Sequence, residues 1–152
     1  MAKLAAGADV LVHNYRPEPA ARLGMDYEAF ARENPRLIYV ATYGFHADGP
    51  MGATAAYDDI IQAASGLAML QDMVTGEPRC VPTVIADKIG SNAVVSAVLA
   101  ALYERERSGR GQAIEVPMFE TVVAFLMIEH LYGHPKIDEL IAIGATRDGR
   151  SV

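Results

Sequence analysis

The sequence contains a single cysteine, Cys80, in 152 residues. No intrachain disulfide can form, which fits a reducing compartment, and the lone thiol reads as a small packing residue. Basic residues are scarce as well: 13 Lys and Arg stand against 19 Asp and Glu, a formal charge of −6. A chain this acidic is a poor candidate for sequence-independent nucleic-acid binding, which needs a basic stripe to replace phosphate counterions. It leaves room for an anionic ligand held locally by one or two Arg and by N–H groups at a helix start. Long hydrophobic runs are missing too. Ala93–Leu102 and Val122–Ile128 fall short of the ~20 residues that span a bilayer, and the opening Met1–Asp9 lacks the apolar run of a signal peptide. The expectation is a soluble, cytoplasmic protein with no membrane partner.

Familiar catalytic signatures are also absent. There is neither a Gly-x-Gly-x-x-Gly turn opening a helix nor a Walker loop. The four histidines, His13, His46, His130 and His134, are scattered, so no metal site is expected. Ser65 precedes Gly66, but Ala63-Ala64-Ser65-Gly66-Leu67 is not the Gly-x-Ser-x-Gly of a nucleophile elbow.

What is present is a core-forming composition, 51% apolar and 21% charged, on a length that suits one domain. Val10–His13 reads as a short buried strand and Leu37–Thr42 as the clearest one, apolar and rich in β-branched and aromatic residues. Ala113–Val116 follows as another. Helical pieces are expected near Ala20–Leu23 and over Tyr27–Glu33, the latter capped by Asp26. A helix over Asp58–Leu70 is interrupted at Ser65-Gly66, Asp72–Arg79 reads as a turn region, and Cys80–Ala86 as extended. Lys88–Arg107 forms a long helix stopped by Ser108-Gly109-Arg110-Gly111, and Phe119–Leu131 another. Ala93–Leu102 is apolar nearly all round, which predicts burial on more than one side. Thr146–Gly149 reads as a turn. Strands alternating with helices imply an α/β fold with a doubly wound, largely parallel sheet.

In such sheets ligands sit beyond the carboxyl ends of the strands. The Asn14–Pro19 loop, the Gly44–Tyr57 loop and Asp87 all fall there. Asp87 ends the run Val81–Ala86 and opens the most apolar helix. A carboxylate at that junction can cap the helix and is favoured by the helix dipole; a capping carboxylate is still able to act as a nucleophile.

A series of short motifs runs in order along the chain: Asn14-Tyr15-Arg16-Pro17, Leu23-Gly24-Met25-Asp26-Tyr27-Glu28 and Asn34-Pro35-Arg36-Leu37-Ile38-Tyr39. Then come Gly44-Phe45, Gly49-Pro50, Tyr57-Asp58, Gln62–Leu67, Ala86-Asp87-Lys88-Ile89-Gly90, and Ala100–Arg105 leading to Gly109–Gln112. In this order they resemble the family III CoA-transferases, which include formyl-CoA and L-carnitine CoA-transferases and the 2-methylacyl-CoA racemases. The resemblance implies a Rossmann-like large domain, with residues 1–132 as its later part and 133–152 as the start of a connection to a small domain. It implies that the whole protein is longer and forms an interlocked homodimer. It also implies that Asp87 matches the nucleophilic aspartate and that Asn14, Tyr15 and Arg22 fall where members contact CoA.

Gly44 and Tyr57 are the expected substrate-binding residues. The implied activity is transfer of CoA from an acyl-CoA thioester to a free carboxylic acid, with CoA as substrate and no tightly bound cofactor. The racemases carry a His immediately before the Asp that matches Asp58. Tyr57 stands in that place here, which argues against the isomerase alternative. A non-catalytic fragment that only folds and associates is the third reading.

Overall fold

The computed structural model describes residues 1–131; the connection expected at 133–152 and the turn at Thr146–Gly149 lie outside the described residues. Three strands form one parallel sheet in the order β1-β2-β3: β1 is Val10–His13, β2 Ile38–Tyr43 and β3 Gln112–Pro117. Val10 pairs with Ile38 and Ile38 with Gln112, so the strands run in register from their amino ends. Helices α1 (Ala2–Ala5), α2 (Pro17–Arg22) and α3 (Tyr27–Glu33) accompany the first two strands, and α4 (Asp58–Ala64), α5 (Leu67–Thr75) and α6 (Ile85–Ser108) lie between β2 and β3. Helix α7 (Met118–Leu131) follows β3 directly.

Alternation along the strands sorts the core into layers. Leu11, Tyr39, Ala41 and Tyr43 pack with Ala5, Ala20, Met25 and Phe30 on one face. Val10, Ile38, Val40, Ile114 and Val116 pack with Ala101 and its neighbours on α6 on the other. A third cluster, with Phe45, Ile61, Leu67, Ala86, Val122 and Leu126, joins α4, α5, α6 and α7. The amino end of the sheet is tied by Arg105, only 7% exposed. Its guanidinium donates to the backbone oxygens of Asp9 (3.3 Å) and Arg36 (3.2 Å) and pairs with the Asp9 carboxylate at 3.0 Å.

The expected strands and most helices form. Asp26 accepts the Ala29 N–H at 2.9 Å, as its capping position requires, and α6 ends at Gly109 with φ +74°, a left-handed stop that glycine adopts without strain.

Four expectations are corrected. Cys80–Ala86 is not a strand. Pro82 has no N–H for a ladder, the Val81 N–H is taken by the Gln62 side chain at 2.7 Å, and Thr83 and Ile85 bond back to Val81 and Thr83 in tight turns. Consequently α6 starts at Ile85. Asp87 is its third residue rather than its cap, which is Val84. Asp72–Arg79 is also more ordered than a turn, since α5 continues to Thr75. Finally, α6 is buried along one side only: Val95, Leu99 and Tyr103 are 56%, 61% and 68% exposed.

Helix α6 is also, among the described residues, the one helix long and apolar enough to cross a bilayer. Its inner side packs across β2 and β3, and its last turns carry Glu104, Arg105, Glu106 and Arg107.

Candidate active site

The carboxyl ends of β1 and β2 and the first turns of α4 and α6 surround a cavity of about 770 Å³. Asp87 opens onto it from α6. Asn14 comes from the loop after β1, Gly44 from the loop after β2, and Tyr57 from the residue preceding α4. The rest of the wall includes Thr42, Asp58, Gly90 and Ser91, with Val12, Val94, Val95 and Met118 giving it an apolar side.

Tyr15 and Arg22 do not line this cavity. Tyr15 lies in the loop after β1 with its ring 6.1 Å from that of His13, and exposed Arg22 pairs with Glu18 across one turn of α2 at 3.6 Å. The six candidate residues therefore divide into four that line the cavity, Asp87 among them, and two, Tyr15 and Arg22, that lie toward α2. Arg16 bridges the two loops by donating to the Ala53 carbonyl.

Close packing explains Gly44. A Cβ there would lie 2.4 Å from the Ala56 Cβ, so any larger residue would push the two strands of this loop apart. Its carbonyl accepts the Phe119 N–H at 2.9 Å, fastening the loop to α7.

Asp58 and Gln62 are neighbours of Asp87 to which motif reading assigned no role. Asp58 Oδ1 accepts the backbone N–H of Asp87 at 2.9 Å, and Asp58 Oδ2 accepts from Gln62 Nε2 at 2.6 Å. Gln62 is almost fully buried. Its amide nitrogen also reaches the Val81 and Thr83 carbonyls (3.3 and 3.2 Å), while its oxygen accepts the Val81 N–H. One buried amide thus holds both the segment leading into α6 and the carboxylate that holds Asp87. The signal was available: Asp58 and Gln62 are four residues apart on a helix and therefore share a face.

Asp87 is exposed toward the cavity, but partial desolvation by the surrounding wall pushes its carboxyl above its ordinary pKa, and the nearby negative charge of Asp58 pushes it further. The Asp87 N–H is already bonded to Asp58, so it is not free to stabilise an oxyanion. Among the described residues no cluster of three or more His, Cys, Asp or Glu could hold a metal ion.

The model of the family described as CoA-transferase family III matches residues 1–147. The chain belongs to this family. It is 44% identical over 120 residues to the acetyl-CoA:oxalate CoA-transferase of Acetobacter aceti, an alignment covering 78% of this chain and 31% of that one. It is 34% identical over 129 residues to the succinate–glutarate CoA-transferase of Agrobacterium fabrum, covering 85% and 32%. Among solved structures, a CaiB/BaiF family protein from Brucella suis matches with a TM-score of 0.81 at 29% identity, over 96% of this chain and 37% of that one. The chain thus spans about a third of the length of these relatives, and its three-stranded parallel sheet with flanking helices is part of their fold.

Proposed function

We propose that the protein of which this chain forms part moves CoA between an acyl-CoA thioester and a free carboxylic acid, with Asp87 as nucleophile. The observation that carries the reading is an exposed carboxylate opening onto a large cavity, braced through its own N–H, in a member of CoA-transferase family III. An Asp87 oxygen attacks the thioester carbonyl, the C–S bond breaks, and an acyl–aspartyl anhydride forms as CoA thiolate leaves. The thiolate then attacks the Asp87 carbonyl of the anhydride, giving an aspartyl-CoA thioester and releasing the donor acid as its carboxylate. The acceptor carboxylate attacks this thioester, expelling the thiolate and forming a second anhydride. Attack of the thiolate on the acceptor's acyl carbon completes the new thioester and restores Asp87.

A carboxylate suits this sequence because its acyl product remains activated. The raised pKa of Asp87 makes its ionised form more basic and so a stronger nucleophile, provided that the pH stays above it. Asn14, Tyr15 and Arg22 are proposed to contact CoA, and Gly44 and Tyr57 the acyl portion. Two relatives named above are an acetyl-CoA:oxalate and a succinate–glutarate CoA-transferase, which supports small carboxylic acids as the substrate class. Tyr57 in place of an acid–base His supports transfer over racemisation.

Incubating the full-length protein with acyl-CoA esters, trapping with hydroxylamine or borohydride, and mapping peptides by mass spectrometry tests the reading. The expected result is an adduct on Asp87. An adduct on Cys80 or Ser65 instead would overturn it.

A further inference from the structure

Beneath the loop that follows β1 runs a chain of three hydrogen bonds that the transfer chemistry leaves unused. The Tyr15 backbone N–H meets His13 Nδ1 at 3.2 Å. His13 Nε2 lies 2.6 Å from the Tyr39 hydroxyl, and that hydroxyl bonds the Met25 carbonyl. The directions are forced from both ends. A carbonyl only accepts, so the Tyr39 proton points to Met25, and the Tyr39 oxygen is left to accept from His13 Nε2–H. A backbone N–H only donates, so His13 Nδ1 must present a lone pair to Tyr15. The chain closes in one protonation state: neutral imidazole with its proton on Nε2.

The surroundings favour that state. His13 is 8% exposed, its ring centroid is 5.0 Å from that of Tyr39, and burial holds its pKa below the ordinary 6.5. Asp26, the cap of α3, and Glu28 within it act on Tyr39, as does Glu115 from β3, and the tilted Tyr27 ring lies 5.9 Å from that of Tyr39. On α2, Glu18 and Arg22 pair with each other. Among the described residues no carboxylate bonds the imidazole, so nothing there compensates a charge on it.

We propose that His13 is a positioning residue for the acyl-CoA substrate: its neutral imidazole anchors the Asn14–Tyr15 turn to the middle strand in the conformation that receives CoA. The inference rests on the assignment of this loop to CoA under the proposed function. It adds a residue that makes no substrate contact and a direction of pH dependence. A second proton on Nδ1 would face the Tyr15 N–H, two donors with no acceptor between them, and the turn would be released. CoA-ester affinity therefore weakens as pH falls through the His13 pKa, below 6.5.

The test uses the full-length enzyme with His13→Phe, which keeps a ring and loses both nitrogens, and His13→Asn, which keeps an acceptor near the Nδ1 position. His13→Phe is expected to raise KM for the acyl-CoA, and Kd by calorimetry, about tenfold, the effect of leaving the Tyr15 N–H without its acceptor. Its kcat should stay within about twofold, because no reacting group is touched. His13→Asn should recover most of the affinity. Nitrogen-15 NMR of the wild type should show the Nε2–H tautomer at neutral pH, a readout that stands even if His13→Phe does not fold. If the wild type binds CoA esters and both variants bind as tightly, or the tautomer is Nδ1–H, the role of His13 is wrong while the transfer reading survives. If the full-length wild type binds no CoA ester, both fall.

Discussion

The two ends of the parallel sheet are built to opposite specifications. At the amino end a single buried guanidinium, Arg105, gathers the backbone oxygens of Asp9 and Arg36 and closes the gap between β1, β2 and α6. At the carboxyl end the same three elements diverge around a cavity of about 770 Å³, walled by two carboxylates and no cationic side chain among the described residues. One end satisfies main-chain acceptors with charge; the other accumulates like charge beside an opening. Strand ends that are tied off contribute stability, and strand ends left open are where chemistry is placed. Substitutions at the two ends should therefore separate stability from turnover.

The largest effect is expected at the open end. Asp87→Asn in the full-length protein should lower kcat by at least about 10³-fold, since losing a nucleophile removes a covalent route entirely. The melting temperature should hold or rise slightly, because the carboxylate is not the helix cap and its charge is opposed by Asp58. Turnover close to wild type would sink the nucleophile assignment.

The converse is expected at the closed end. Arg105→Met should destabilise the protein by about 1–3 kcal/mol, mainly because the Arg36 oxygen loses its donor, while the Asp9 oxygen keeps the Ile38 N–H. The ion pair itself adds little, because the Asp9 carboxylate is 80% exposed. Activity per folded molecule should stay within about twofold of wild type. Chemical denaturation and a CoA-transfer assay read the two quantities separately. A collapse of turnover with unchanged stability would mean that the two ends are coupled and do not divide stability from chemistry.

The two ends also differed in how far they could be read from sequence. The strands were legible because Val10–His13 and Leu37–Thr42 are short apolar runs bounded by polar loops, and the alternation of strand and helix carried the parallel topology. Asp26 as a cap and Gly109 as a stop were legible because each acts on its own neighbours. Cys80–Ala86 misled: it has strand-like residues, but its Val81 N–H is claimed by Gln62 from a distant helix, a competition no local pattern shows. The same long-range amide hid the role of Asp58. Ordered motifs picked out Asn14, Gly44, Tyr57 and Asp87, which the fold does gather around one cavity, but spacing along the chain did not reveal that Tyr15 and Arg22 lie apart from them. The uncovered stripe Val95–Leu99–Tyr103 was missed because an apolar helix reads as buried wherever its cover comes from.

The smallest effect tests the electrostatics of the open end. Asp58 holds Asp87 by its N–H and repels it by its charge, and Asp58→Asn parts the two actions. The amide keeps one acceptor oxygen and turns an NH2 toward either Asp87 or Gln62, so one of two hydrogen bonds is lost. The negative charge goes completely. The Asp87 pKa, raised by burial first and by Asp58 second, should then move down, toward but not to the ordinary carboxylate value, because burial remains.

The sign for stability follows. A carboxyl whose folded pKa lies above its unfolded value favours the fold below the unfolded pKa, and that contribution is lost as pH rises through the folded value. At neutral pH Asp87 thus opposes folding, and removing its neighbour's charge should relieve part of that opposition. Carbon-13 NMR of the Asp87 side chain should place its titration at lower pH in Asp58→Asn, and the acid limb of the transfer rate should move the same way. An unchanged titration would mean that burial alone raises Asp87 and that Asp58 serves only as an acceptor for its N–H.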